Sequence, residues 1–299
     1  LVYKNDIIDK MKEIILLENI EERFKITLLS YINEKSNSAM SFGELCIFHY
    51  QAFLQEPEID RDIIRVAAAV ELLVLSFDII DDLQDGDADY IWCNNPAIAM
   101  NGALAMIFLT AKLIHESTFR HKAQALHVLN EFALKSINGQ YLDLENSAKD
   151  EASYLKMTEA KSGALIALSS SIGASLALGK LDERVIEYST YIGVVQQILN
   201  DIQDLKTWGK KNDLLNGKYS LPILYLLEQS EAYADILKKY YNGAKVELEP
   251  TYFKQVLLES GAINYALAIK NIFKFKTLHI IKTMPFNNEE KQYLIKLVE

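Results

Sequence analysis

Two groups of acidic residues carry whatever chemistry this sequence performs. The first is Asp78, Asp81, Asp82 and Asp85, which close an apolar run that begins near Ile63. Their spacings of three and four place most of them on one face of a helix. Like charges on one helical face repel, and at a C-terminal end the helix macrodipole opposes them as well. No Lys or Arg lies between Arg65 and Lys112. A divalent cation held by carboxylate oxygens would answer that repulsion. A solvated acidic helix end is the plainer alternative.

The second group is Asn200, Asp201 and Asp204, inside a stretch flanked by Ile192, Val194, Val195, Ile198, Leu199, Ile202 and Leu205. Polar groups on an otherwise buried helix are costly unless they are paired or bind a metal. Lysines stand nearby in the chain: Lys161 interrupts an apolar helix, and Lys210, Lys211 and Lys218 follow the second group directly. Mg2+ is usually bound by carboxylates together with substrate phosphates, and lysines add charge to the same phosphates. The combination points to a diphosphate site, although each lysine alone reads more simply as a solvated surface charge.

The elements that must hold these groups are helices. Half of the 299 residues are apolar, and Gly 12 and Pro 5 are few, which favours long helices over turns. Apolar spacing predicts two helices over 6–35, a third from Ser41 to Leu54, and a long one that Asp60 caps and that carries the first acidic group. Residues 86–95 read as a loop, and Pro96 opens the next helix. Further helices are expected over 120–144, 151–178, 182–205 and 219–241, with two or three more to the end. No stretch alternates as a strand does. The expectation is an all-α fold of about a dozen helices in one domain spanning 1–299.

Composition excludes several functions. A net charge of −10 argues against nucleic acid as the main partner. Cys46 and Cys93 have no partner pattern and read as plain thiols in a reducing compartment. The five histidines make no metal-spaced cluster. Arg65, Glu71 and Asp78 break the longest apolar stretch, so no membrane span is expected. The start of the chain does not read as a signal peptide.

Taken in order, these segments resemble the trans-isoprenyl diphosphate synthase family. Asp81-Asp82-x-x-Asp85, with Glu71-Leu72-Leu73 upstream, is similar to its first aspartate-rich motif. Gly139-Gln140 and Asp143 are similar to its Gly-Gln-x-x-Asp, and Lys161-Ser162-Gly163 stands for its Lys-Thr. Gly193, Gln197 and Asn200-Asp201-x-x-Asp204 stand for the second aspartate-rich motif, and Asp213 to Pro222 for the segment that closes over the diphosphate. The resemblance implies the isoprenoid synthase fold, a single large helical bundle around a central cavity, and a homodimer. It also implies Mg2+, about three ions with the bound diphosphate. Asp81, Asp85 and Asp204 would be the principal metal ligands, supported by Asp82, Asn200 and Asp201. Lys161, Lys210 and Lys218 would hold the diphosphate, Phe77 would cap the prenyl chain, and Gln140 and Gln197 would support the site.

The departures narrow the expected activity. The family's elongating enzymes bind isopentenyl diphosphate with basic residues in three places. Here residues 36–60 contain no Lys or Arg, Val74 replaces a His, and residues 86–111 contain no basic residue. A diphosphate acceptor there would meet no opposite charge. The resemblance therefore implies an Mg-dependent prenyltransferase with an intact allylic donor site and a different acceptor. The expected reaction moves a farnesyl or geranyl group onto a tryptophan of a quorum-sensing pheromone precursor peptide. The alternatives are a class I terpene cyclase or modified polyprenyl diphosphate synthase, and a non-catalytic regulatory subunit. A cyclase would carry Ser or Thr and Glu where Asp204 and Trp208 stand. The resemblance places the protein in the cytoplasm, with peripheral membrane contact left open.

Overall fold

The computed structural model describes residues 2–54, 60–86, 89–207, 212–229 and 231–299. Fourteen α-helices and no strand occur among them. In order they are α1 (Lys4–Leu17), α2 (Glu22–Lys35), α3 (Ser41–Leu54), α4 (Arg61–Asp85), α5 (Pro96–Glu116), α6 (Lys122–Leu144), α7 (Glu151–Thr158), α8 (Ala164–Leu178), α9 (Glu183–Lys206), α10 (Leu221–Glu228), α11 (Ala232–Tyr241), α12 (Pro250–Glu259), α13 (Ala262–Thr283) and α14 (Asn288–Lys296). The chain divides into two compact units. The first comprises 1–134, 165–186 and 285–290; the second comprises 135–164, 187–284 and 291–299.

In the first unit α4 is the central element, packed chiefly against α5 and then against α3 and α1. Every residue from Val66 to Ser76 is buried, so this stretch is enclosed on all sides, as a helix apolar all round must be. Asp60 caps its start by accepting from Asp62 N at 2.9 Å. Gly86 ends it with φ +70°, a left-handed turn that glycine adopts without strain, and donates its N–H to the Asp82 carbonyl. The Thr110 hydroxyl of α5 donates to the Ala69 carbonyl at 2.8 Å, tying the two helices inside the core.

Glu71 and His49 are fully buried in this unit. Glu71 accepts from Gly43 N in the first turn of α3 at 2.7 Å. Burial pushes its carboxyl up to about 7 despite that hydrogen bond and the pull of Lys35. His49 lies with Nδ1 2.7 Å from the Leu45 carbonyl, and burial lowers its pKa to about 4. The Cys46 thiol is likewise buried and pushed up, an inert core group.

In the second unit α10 packs on α13 and α11, and α12 on α13. Leu205, Leu214, Ile223, Leu226, Leu237 and Phe253 form its core. Three expectations need correction here and in the first unit. The helix expected over 219–241 is two, because the chain leaves α10 at Gln229 in an extended conformation and α11 starts at Ala232. The helix over 151–178 contains a π turn at Glu159–Gly163. The loop after the first acidic group contains a 3-10 turn, Ile91–Asn94. Two stretches, Pro96–Glu116 and Glu151–Leu178, are long and apolar enough by length and composition to cross a membrane. The second is mostly buried inside the protein.

Candidate active site

The first acidic group occupies the last two turns of α4, whose own last turn contributes no basic residue against the helix's negative end. Asp78, Asp81 and Asp82 are half-buried and Asp85 is exposed. The sequence offers no nearby cation, yet Asp78 has one: Lys35 Nζ, from α2, lies 2.5 Å from its Oδ2. This pair is formed across 43 residues of chain, so local spacing could not reveal it. Asp82 has a different partner. The indole Nε1 of Trp92, in the 3-10 turn, donates to Asp82 Oδ2 at 3.0 Å. Phe77 is half-buried on the same helix.

The second group belongs to the second unit and rests on three close backbone approaches. A Cβ on Gly139 of α6 would lie 2.2 Å from Lys161 N, and one on Gly193 of α9 would lie 2.6 Å from Gly163 Cα. A Cβ on Gly163 would meet Thr190. Only glycine permits such contact. Lys161, Ser162 and Gly163 lie on the π turn, an irregularity that occurs frequently at functional sites. The Ser136 hydroxyl donates to the Lys161 carbonyl at 2.9 Å, which serves the backbone where the helix is distorted.

From this junction a connected polar network extends. Lys161 Nζ lies 2.7 Å from Asp143 Oδ2, and Lys218 Nζ lies 3.9 Å from the same oxygen. The Ser162 hydroxyl donates to Gln197 Oε1 at 2.5 Å, and Gln197 Nε2 donates to Asp201 Oδ1 at 2.8 Å. The Tyr154 hydroxyl donates to Asp201 Oδ2 at 2.5 Å. Asp201 is buried, Asp204 half-buried and Asn200 exposed. Asn212 donates to the carbonyls of Asp204, Leu205 and Thr207 at 3.1, 3.2 and 3.3 Å, satisfying the orphan end of α9 that carries Asp204.

The electrostatics of this network are those of crowded carboxylates. Burial raises Asp201 to about 6, helped by the charges of Asp143 and Asp204 and opposed by the hydrogen bonds from Tyr154 and Gln197. Burial and the charge of Asp201 raise Asp213 to about 8, with Lys218 pulling the other way. Tyr154 is raised well above its ordinary value by burial and by Asp201. The segment bearing Asp213 and Lys218 is pinned by three side chains. Asn146 donates to the Gly217 carbonyl at 2.7 Å, Tyr240 to Leu215 at 2.7 Å and Tyr241 to Lys218 at 2.8 Å.

Of the residues singled out in the sequence, Asp81, Asp82, Asp85 and Phe77 share the first unit's α4. Lys161, Gln197, Asp201, Asp204 and Lys218 share the second unit with Gln140, which is half-buried on α6 beside Gly139. Lys210, Lys211 and Trp208 lie outside the described residues. Sequence reading missed Trp92, Tyr154 and Asn212. Trp92 sat in what read as a loop, and Tyr154 and Asn212 act on residues 47 and up to 8 positions away.

Among the described residues, no three His, Cys, Asp or Glu side chains gather closely enough to hold an ion by themselves. The donors present are hard carboxylate oxygens. They fit Mg2+, which keeps waters and takes phosphate oxygens to complete its shell, rather than a metal caged by protein alone.

The chain is similar to several known proteins. The chain is 34% identical over 290 residues to the tryptophan prenyltransferase ComQ of Bacillus subtilis subsp. natto, covering 96% of this chain and 90% of that protein. Geranylgeranyl pyrophosphate synthase from Lactobacillus brevis superposes with a TM-score of 0.81 at 20% identity, covering 99% of this chain and 94% of that one. A polyprenyl synthase from Caulobacter crescentus, solved with calcium and isoprenyl diphosphate, gives 0.79 at 20% identity, covering 99% and 92%. The structural likeness establishes the all-α isoprenoid synthase fold. A family model for polyprenyl synthetase matches residues 42–257, well over half of the chain, and the protein belongs to that family.

Proposed function

We propose that this protein is an Mg-dependent prenyltransferase that moves a farnesyl or geranyl group from its diphosphate to a tryptophan of a pheromone precursor peptide. One observation carries the choice of acceptor. Beside the retained acidic end of α4, the first unit offers aromatic and apolar groups rather than free cations: Val74 is buried, Tyr90 stacks on Trp92, and the Lys35 ammonium is held by Asp78. Such a lining suits an uncharged indole better than a second diphosphate. The ComQ relative supports the same acceptor.

In this reading Asp81, Asp85 and Asp204 hold the metal ions, with Asp82, Asn200 and Asp201 supporting them. Asp201, with each oxygen bound by a protein donor, serves by fixing the others' charge environment rather than by open ligation. When bound, Mg2+ neutralises the departing diphosphate. Lys161, Lys218 and Lys210 add charge to that leaving group. The C1–O bond of the donor breaks to give diphosphate and an allylic cation, and the apolar surroundings keep water from it. Indole C3 of the acceptor tryptophan attacks C1, the main-chain nitrogen of that tryptophan closes onto indole C2, and the displaced amide N–H proton passes to diphosphate. Phe77 limits the chain length of the donor, and Gln140 and Gln197 orient the polar network.

The reading extends to assembly and place. Met100, Leu104 and Phe108 are exposed at four-residue spacing on α5, an apolar stripe that supports the expected homodimer. Residues 1–299 are taken as one isoprenoid-synthase domain in the cytoplasm, meeting the membrane only peripherally to collect its donor.

The test is direct. Purified protein is incubated with Mg2+ and farnesyl or geranyl diphosphate, with and without a Trp-containing peptide, and products are read by mass. A peptide gaining one prenyl group is the expected result. A hydrocarbon formed without peptide would identify a cyclase, and a longer prenyl diphosphate formed with isopentenyl diphosphate an elongating enzyme. No product in any mixture, with both acidic groups intact, would leave the regulatory subunit.

A further inference from the structure

The two carboxylates one turn apart on α4, Asp78 and Asp82, are held in opposite ways. Asp78 meets an ammonium, and its charge is cancelled by Lys35. Asp82 meets a neutral N–H, which fixes a carboxylate without cancelling its charge. The donor is itself immobilised. Trp92 is 3% exposed, its ring lies against Tyr90 at 4.8 Å and 12° in a stack, and its edge meets Tyr31 at 5.9 Å and 85°. A buried indole N–H requires an acceptor. Here it takes the one carboxylate that lies between Asp81 and Asp85 in sequence, while Gly86 binds the carbonyl of the same residue. Asp82 is thus fixed at both its main chain and its side chain, in a turn where like charges would otherwise drive the carboxylates apart.

We propose that Trp92 is a positioning residue: its indole N–H orients the ionised Asp82 carboxylate toward the cation that the diphosphate brings, and the Tyr90–Trp92–Tyr31 stack keeps that orientation when the site is empty. This rests on the reading of Asp82 as part of a metal site. Outer-shell hydrogen bonds of this kind change metal affinity by about 10- to 100-fold when removed.

Trp92→Phe keeps the ring and deletes the donor. With inorganic diphosphate as probe, titration calorimetry should show the Mg2+ concentration for half-maximal diphosphate binding rising by about tenfold or more. The transfer rate lost at low Mg2+ should return at high Mg2+, which no purely structural role would produce. In a second arm Trp208→Phe leaves Trp92 as the sole tryptophan. Its emission should change saturably with Mg2+ plus diphosphate and with neither alone. Unchanged Mg2+ dependence in Trp92→Phe overturns the proposal, and so does a silent Trp92 at saturation. Should Trp92→Phe not fold, the emission arm decides. A parent protein that binds no diphosphate with Mg2+ removes the metal reading itself, whereas a parent that binds it identically to Trp92→Phe removes only the positioning role.

Discussion

Tyr154 on α7 closes a 2.5 Å hydrogen bond on Asp201 of α9, and both are buried. The hydroxyl is the only part of Tyr154 that Phe lacks, so Tyr154→Phe removes this bond and keeps the ring. A buried carboxylate that loses a donor costs about 1–3 kcal/mol. For a chain of this size that corresponds to a fall in melting temperature of about 2–8 °C. Activity should fall further than stability, because Asp201 would then hold its proton more tightly beside Asp143 and Asp204. Thermal denaturation and transfer rate measured on one preparation check both parts. A rate equal to the parent's would remove Tyr154 from the site.

Gly139 and Gly217 predict different sensitivities to the same methyl group. At Gly139 a Cβ would collide with Lys161 backbone at 2.2 Å, so Gly139→Ala must push α6 from the π turn. Overpacking of this kind costs about 1–3 kcal/mol or more, and here it also pulls Lys161 from Asp143. At Gly217 nothing lies within 4 Å, and only the left-handed φ of +64° opposes alanine, a cost of about 1–2 kcal/mol. Both variants should lose stability, but only Gly139→Ala should also lose transfer by more than its folded fraction explains.

Glu71 and His49 make stability depend on pH in opposite directions. The folded carboxyl of Glu71 titrates near 7 against an ordinary 4.5, so the folded chain keeps a proton that the unfolded chain gives up. Stability therefore falls as pH rises from about 4.5 to 7, by about 3 kcal/mol in all. Folded His49 titrates near 4 against 6.5, so the unfolded chain takes the extra proton and stability falls as pH drops from about 6.5 to 4. Between the two the slopes nearly cancel. Glu71→Gln, which can still accept from Gly43, should remove the Glu71 contribution, so that stability between about pH 4.5 and 7 falls less steeply with pH, or rises, relative to the parent. Urea melts at pH 4.5, 5.5, 6.5 and 7.5 measure it, and an unchanged pH profile in Glu71→Gln would show that Glu71 is ionised throughout.

The helices that frame the first acidic group were legible because their ends are marked locally. Asp60 caps α4, Pro96 opens α5, and the polar break after Lys35 ends α2. The order of the motifs made the family legible as well. What stayed hidden depends on contacts between distant residues. Lys35 and Asp78 meet across 43 positions, and Trp92 and Asp82 meet through a 3-10 turn with no periodic signature. The π turn at Glu159–Gly163 has the composition of an ordinary helix; what sets it apart is the close approach of Gly139 and Gly193 from other elements. The break between α10 and α11 was missed because the residues on both sides are good helix formers.

Asp81 offers the sharpest separation of function from folding. It stands in the last turns of α4 beside Asp78, Asp82 and Asp85, against the negative end of the helix and with no basic residue in the final turn. Asp81 opposes the dipole and the like charges of its neighbours by a few tenths to about 1 kcal/mol. Removing that carboxylate should therefore leave stability unchanged or raise it slightly. The proposed chemistry demands the opposite for activity, since a lost ligand to the leaving group's cation weakens the stabilisation on which ionisation depends. Asp81→Ala should keep or gain melting temperature by about 1–2 °C while transfer falls by about a thousandfold. Asn200→Ala, on the exposed side of α9, should lower transfer far less. A destabilised Asp81→Ala would mean that the carboxylate is structural. An active one would mean that the acidic end of α4 does not carry the reaction.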